Sequence, residues 1–256
     1  MPKTVQIARL LVAAAVLGGV AMPAWAVDGV ILIDQNKAMA GSVTPGDAPG
    51  FPVTISLPGS YRLAGDLTVP DANTDAILIT ANNVTLDLNG FAILGPTACN
   101  RSGSGGDGAV VCAPTGNGNG VNGTQASNIT VVNGTIRGMG HTGILLLGGT
   151  QVPPHKVEKM SVHSNGSTGI AVDNGLVANS VASTNGIHGI GINLGSVIGN
   201  YSTNNGGAGL FIGNGGYANN VFTANGFNSN GSSVLGSGVN LGQNLCAAAA
   251  CPGAQF

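Results

Sequence analysis

Four Asn-Gly pairs, Asn165-Gly166, Asn185-Gly186, Asn205-Gly206 and Asn225-Gly226, follow one another at a step of 20 residues. Between them Gly169, Gly189 and Gly209 keep the step, each followed by an apolar residue (Ile170, Ile190, Leu210). Val172, Ile192 and Ile212 come next, then Gly175, Gly195 and Gly215, then Val177, Val197 and Tyr217. A fixed short period with alternating apolar residues and glycine punctuation dictates a stacked solenoid. Strands of three or four residues bury no face alone. Stacked on the next lap about 4.8 Å away, they pair their backbones and align apolar side chains into interior columns.

The pattern predicts an all-β fold, a right-handed parallel β-helix with three short strands per coil and about 20 residues per coil. Propeller blades repeat at about 40–45 residues, sandwiches have no fixed period, and the hexapeptides of a left-handed β-helix are missing. Turns between strands fall on Gly and Asn, which tolerate positive φ. Asn185, Asn205 and Asn225 are expected to stack as an amide ladder rather than to meet a ligand.

Glycine at 44 residues and a charged fraction of 7% could describe disorder, but 43% apolar content at regular intervals argues for a packed core. With aromatics at 4%, the interior is expected to be a narrow Val/Ile/Leu/Ala column without large rings. Tyr201 and Tyr217 are expected to be internal or edge-on.

Residues 1–26 read as a secretory signal peptide: Lys3 and Arg9 precede the apolar run Leu10 to Ala21, and Ala24-Trp25-Ala26 offers a cleavage site. The expected destination is the periplasm or the medium. Formal charge is −2; removing Lys3 and Arg9 leaves six basic against ten acidic residues, or −4. No basic face for nucleic acid is present, and no later segment is long enough to span a bilayer. Four cysteines in an exported chain imply two disulfides, most economically Cys99–Cys112 and Cys246–Cys251, although the two other connectivities stay open.

The chain divides into an N-terminal cap segment (27–52), the β-helix (53–245) with insertions at 95–120 and 150–155, and a C-terminal tail (246–256). The clearest early rung is 83–93, where Val84, Leu86 and Leu88 point in and Thr85 and Asp87 point out. The glycine-rich 95–120 segment reads as a surface loop clipped by Cys99–Cys112 that covers the outward face near Asp87.

On Asn83-Val84-Thr85-Leu86-Asp87-Leu88-Asn89-Gly90-Phe91 and the N-x-x-G-I-x-[VI] coils from 165 onward, the chain resembles the secreted right-handed parallel β-helix repeat proteins of bacteria, in the pectin-lyase-like group. The stretches Gly50-Phe51-Pro52-Val53-Thr54-Ile55 and Pro58-Gly59-Ser60-Tyr61-Arg62-Leu63 are similar to those of its members. The resemblance covers most of 28–245. It implies the fold, and it leaves open polysaccharide lyase, hydrolase, epimerase, adhesin or non-catalytic sugar binder.

Hydrolases on such a scaffold need a carboxylate pair. Lyases and epimerases need a base near the C5 proton and a cation or Ca²⁺ against the uronate. From Ser161 to Phe256 the only formally charged side chain is Asp173, which leaves that half without either. Aligning Gly143 with Gly169 puts Arg137 and His163 one rung apart, in one outward row with Ser183, Thr203 and Thr223. The most enzyme-like constellation is therefore a cationic rim of Arg137, His163 and Lys159 facing Asp87, with Arg137 or His163 as base. His141, His155, Lys156 and Glu158 are neighbouring candidates. Asp66, Asp71, Asp75 and Asp107 supply carboxylates for Ca²⁺, but their spacing matches no compact calcium loop, and no cofactor is expected.

The preferred expectation is an exported, non-catalytic module that binds a polysaccharide or cell-surface glycan through His141, Ser183, Thr203 and Thr223. The alternatives are a uronate lyase or epimerase at Arg137 and His163, and a purely structural or adhesive envelope module stacking end-to-end.

Overall fold

The computed structural model describes residues 29–102, 109–149, 151, 153–226, 233–247 and 249–251. The expected signal peptide, the tip of the 95–120 insertion, Asp107 and the last five residues lie outside them. Among the described residues no helix is long and apolar enough to cross a membrane.

The chain is a parallel β-solenoid of about 8 turns with a mean coil of about 24 residues. The 20-residue step holds in the regular coils, where Ile170, Ile190 and Leu210 stand in one register. Coils outside this block are longer because turns take extra residues: Met139 and Asn165, one lap apart, are separated by 26 positions. Gly169 and Gly189 are consecutive rungs, since Ile170 N–H donates to the Gly189 carbonyl at 3.0 Å.

Each coil has three faces, but they are not three separate strands. Ile170–Ala178, Ile190–Ile198 and Leu210–Ala218 are continuous nine-residue strands that cover two faces. They bend at Gly175, Gly195 and Gly215, whose φ values are 156°, 139° and 124°. The bend stacks peptide on peptide: a Cβ on Gly195 would collide with the Gly175 carbonyl oxygen. Glycine here is a steric requirement. The third face is made by Val181–Ser183, Tyr201–Thr203 and Val221–Thr223.

The first face runs from Val53–Ile55 through Ile77–Ile79, Val121–Asn122 and Ile144–Leu146 to the regular coils. The second starts at Ile31–Ile33 and continues through Gly59–Leu63, Val84–Asp87 and the first part of Ile129–Arg137. The third starts at Leu67–Thr68 and passes through Ala92–Leu94, 135–137 and 161–163.

Inward columns such as Leu86, Val131, Val157, Val177 and Val197 are fully buried. The expectation of an interior without rings is corrected, because Tyr61, Tyr217 and Phe222 are among the largest fully buried side chains. Small neighbours make the room. Phe222 follows Ala182 and Ser202 in its column, and it meets Tyr217 edge-on at 6.3 Å. The Tyr61 hydroxyl is satisfied by the Leu57 carbonyl at 2.8 Å.

The asparagine ladder forms as expected. Asn165, Asn185, Asn205 and Asn225 are buried, and each amide donates to the next Oδ1 at 2.9–3.0 Å. A second ladder, Asn200–Asn220–Asn244, stands at the opposite end of the third face with the same spacing. Ser180 occupies its first rung, accepting from Met160 N–H and donating its own N–H to Asn200.

Both ends are closed by side chains. At the N-terminal end of the first face, Asp47 accepts from Thr54 N–H at 2.7 Å and Thr44 donates to the Thr54 carbonyl at 2.6 Å. On the third face Gln35 pairs with both Thr68 N–H and its carbonyl. These groups stand where a further strand would pair, which blunts the open edges. Gln35 belongs to a short helix, Gln35–Ala40, N-capped by Asp34, that the sequence pattern did not indicate. At the other end Leu245–Cys246 turns back antiparallel into Ala249–Ala250 and is closed by Cys246–Cys251. The C-terminal tail is thus a cap.

The 95–120 insertion is a hairpin, not an open loop. Ala98–Arg101 pairs antiparallel with Val110–Ala113, the Cys99–Cys112 disulfide joins the two strands, and Thr97 Oγ1 closes the base on the Pro114 carbonyl. Its described strands do not cover Asp87. It lies along the corner between the third and first faces: Cys99 Sγ is 3.4 Å from the Asn165 carbonyl, and Arg101 Nη1 donates to Asn204 Oδ1 at 2.9 Å. The corner it follows is lined by glycine, and Cys112 sits against Gly186.

Candidate functional site

Strand pairing places the predicted row as expected. Arg137 pairs with His163, His163 with Ser183, Ser183 with Thr203, and Thr203 with Thr223. Because Ile136, Val162, Ala182, Ser202 and Phe222 point inward, this row and its partner row two residues earlier point outward. The partner row is Thr135, Ser161, Val181, Tyr201, Val221 and Leu245. Hydroxyls and apolar groups therefore run side by side along the solenoid axis.

Tyr201 corrects its expected placement. Its ring is 44% exposed, while Tyr217 is in the core. Parity with the buried Ser202 is the sequence signal that places Tyr201 outside. The ring leans along the hydroxyl row, with Thr223 Oγ1 within hydrogen-bond distance of the phenol oxygen at 3.4 Å and of Thr203 Oγ1 at 3.1 Å. Hydrogen bonds from Thr223, then Thr203, hold the phenol below its ordinary pKa of 10.0. Thr203 is roofed over and nearly buried, whereas Ser183 and Thr223 stay half-exposed. The hairpin arm, expected as a surface loop, stands along one long edge of this face at Asn165 and Asn204.

The four-residue cationic rim does not assemble. Asp87 lies on the second face, in register with Arg62, Val132 and Glu158. Its carboxylate is held by Arg62 at 3.3 Å and by Asn89 N–H and Asn133 Nδ2. Lys159 sits at the corner between the second and third faces with φ 56°. Only Arg137 and His163 remain together, because a one-rung offset brings side chains together only within one outward row, and Asp87 and Lys159 belong to others. Burial, then the Arg137 charge, pushes the His163 pKa below 6.5, leaving it neutral at pH 7.

His141 is exposed but lies beyond the corner, on the first-face side, with Nδ1 3.2 Å from Asn119 Oδ1 and from Thr142 Oγ1. It does not join Ser183, Thr203 and Thr223. Lys156 and Glu158 pair with each other at 2.7 Å on the second face. His155 is buried, accepting Ile129 N–H at Nδ1.

The calcium candidates have structural partners. Asp66 accepts from Ala92 N–H, Asp71 from Asn73 N–H and Thr74, and Asp75 from Asn119 and Asn122. Among the described residues no cluster of three or more His, Cys, Asp or Glu has metal-binding geometry.

Compared with protein-family models, with curated proteins and with solved structures, the chain matches none of them. What the face can do must be read from its chemistry. A strip with an exposed phenol ring beside hydroxyls suits the apolar face and polar rim of a sugar ring.

Proposed function

We propose that this chain is an exported, non-catalytic module of the pectin-lyase-like β-helix type that binds an uncharged glycan on its third face. The observation that carries the reading is the exposed Tyr201 ring set between Val181 and Val221, next to Ser183 and Thr223 and beneath the wall of the Cys99–Cys112 hairpin. Tyrosine supplies a rigid, half-apolar platform at low entropic cost. The hydroxyls along its side match sugar hydroxyls without requiring a charge.

A uronate lyase or epimerase would have to work with Arg137 and His163 alone, since Asp87 and Lys159 stand elsewhere. End-to-end assembly would have to displace the Asp47, Thr44 and Gln35 caps and the C-terminal hairpin.

Residues 29–256 contain no tryptophan, and of their three tyrosines only Tyr201 is exposed, so tyrosine emission reports on this face directly. Titration with soluble neutral oligosaccharides should perturb it, and Tyr201→Ala should abolish the retention of the protein on the corresponding polymer. Retention unchanged in Tyr201→Ala would overturn the reading. Unsaturated products from pectate or alginate, lost in Arg137→Ala, would establish the lyase in its place.

A further inference from the structure

The first face carries a second feature that neither the turns nor the core explains. Its outward row runs Ala171, Gly191, Phe211. Phe211 is 38% exposed and stacks on His188 with ring centroids 5.6 Å apart and planes inclined by 25°.

Two glycines make this arrangement, for different reasons. Gly207 makes room for the imidazole: a Cβ there would lie 2.7 Å from His188 Nδ1. The ring thereby reaches across to the next lap, accepts Ala208 N–H at 3.0 Å and meets Phe211. Because Nδ1 is the acceptor, the proton resides on Nε2, which becomes a fixed donor.

Gly191 is not required by the backbone. Its φ is not in the left-handed region, and a Cβ there would meet only ordinary contacts at 3.9 Å. Its neighbours in the row carry side chains. The missing side chain leaves the position beside Phe211 in the row approached only by the Ile170 carbonyl and Thr168 Cγ2, at 3.9 Å. Two residues along the strand, Asn193 is exposed and donates its amide to Asp173 Oδ1, a bond in which its own Oδ1 takes no part. The other Asp173 oxygen accepts Gly149 N–H at 3.0 Å.

We infer that the notch over Gly191, walled by Phe211 and His188 and edged by Asn193, is a binding subsite for one neutral pyranose ring. The apolar sugar face stacks on Phe211. The polar rim meets a donor at His188 Nε2 and an acceptor at Asn193 Oδ1. An anionic sugar is disfavoured by Asp173, the only formal charge in the C-terminal coils. The subsite is separate from the Tyr201 face: the hairpin arm runs along the corner between them.

The test is saturation-transfer NMR and calorimetry of the exported chain with cellotetraose, mannotetraose and xylotetraose. Gly191→Leu fills the notch and should weaken binding of at least one of them about tenfold or more. Its thermal midpoint should stay that of the wild type. Phe211→Ala should do the same, while Tyr201→Ala leaves the Phe211 ring signals responsive. Full affinity in Gly191→Leu overturns the inference. So does binding of benzyl alcohol at Phe211 with no response to any of the sugars. Response at Phe211 with none at Tyr201 upholds this subsite and removes the third-face reading, so the two fail separately.

Discussion

The amide of a single buried asparagine in this solenoid holds groups on both neighbouring laps in place. Asn205 donates to Asn225 Oδ1 and to the Ala182 carbonyl, and its Oδ1 accepts both the Asn185 amide and Asn185 N–H. Replacing it with alanine strands buried donors and acceptors on two neighbouring laps, at about 1–3 kcal/mol for each group left unmade. Asn205→Ala should destabilise the protein by about 3 kcal/mol, read from the denaturant midpoint. His155 makes a pH-dependent contribution. Its Nε2 has no hydrogen-bond partner among the described residues, and burial pushes its pKa below 6.5 despite the opposing charge of Asp173. A depressed histidine binds its proton more tightly when unfolded, so its contribution is complete above pH 6.5 and is lost as pH falls through the folded value. Stability should fall on acidification, and His155→Asn, which keeps an acceptor for Ile129 N–H, should flatten that slope.

At the scale of elements, the hairpin is the part that ties distant laps together. Its Arg101 reaches Asn204, 103 positions later in the chain. The cysteines enclose a loop with a separation of 13, for which cross-linking is worth about 3 kcal/mol in the chain-entropy account. The Cys99→Ser/Cys112→Ser variant should lose about that much in a guanidinium titration and speed amide exchange at Asn100 and Val111. The regular strands were readable from sequence because their inward residues recur at a fixed step and repetition removes the ambiguity of any single short run. The hairpin was not, because Ala98–Arg101 and Val110–Ala113 occur once and glycine-rich flanks mask their pairing. The same holds for the site: the Arg137-to-Thr223 row follows from the lap spacing. The places of Asp87, Lys159 and His141 depend on which corner each turn makes, and no local pattern encodes that. Phe211 and His188 were invisible because their stacking requires the space Gly207 leaves on the next lap.

For the whole molecule, the two capped ends decide how copies meet. A parallel stack has edges that would accept another strand, and here Asp47 and Thr44 satisfy the groups that would recruit one. Asp47→Ala should free Thr54 N–H and Val43 N–H together and raise the concentration dependence of light scattering above that of the wild type.

Charge is also distributed unevenly along the solenoid. Arg62, Asp87, Arg137, Lys156 and Glu158 belong to its earlier laps; past Ser161 the chain adds only Asp173, and the hairpin lays Arg101 against Asn204. A surface so nearly without charge gains nothing from long-range attraction and loses nothing to screening. Whatever the later laps hold should come on slowly, by random collision, and stay bound equally well in fresh water and in brine.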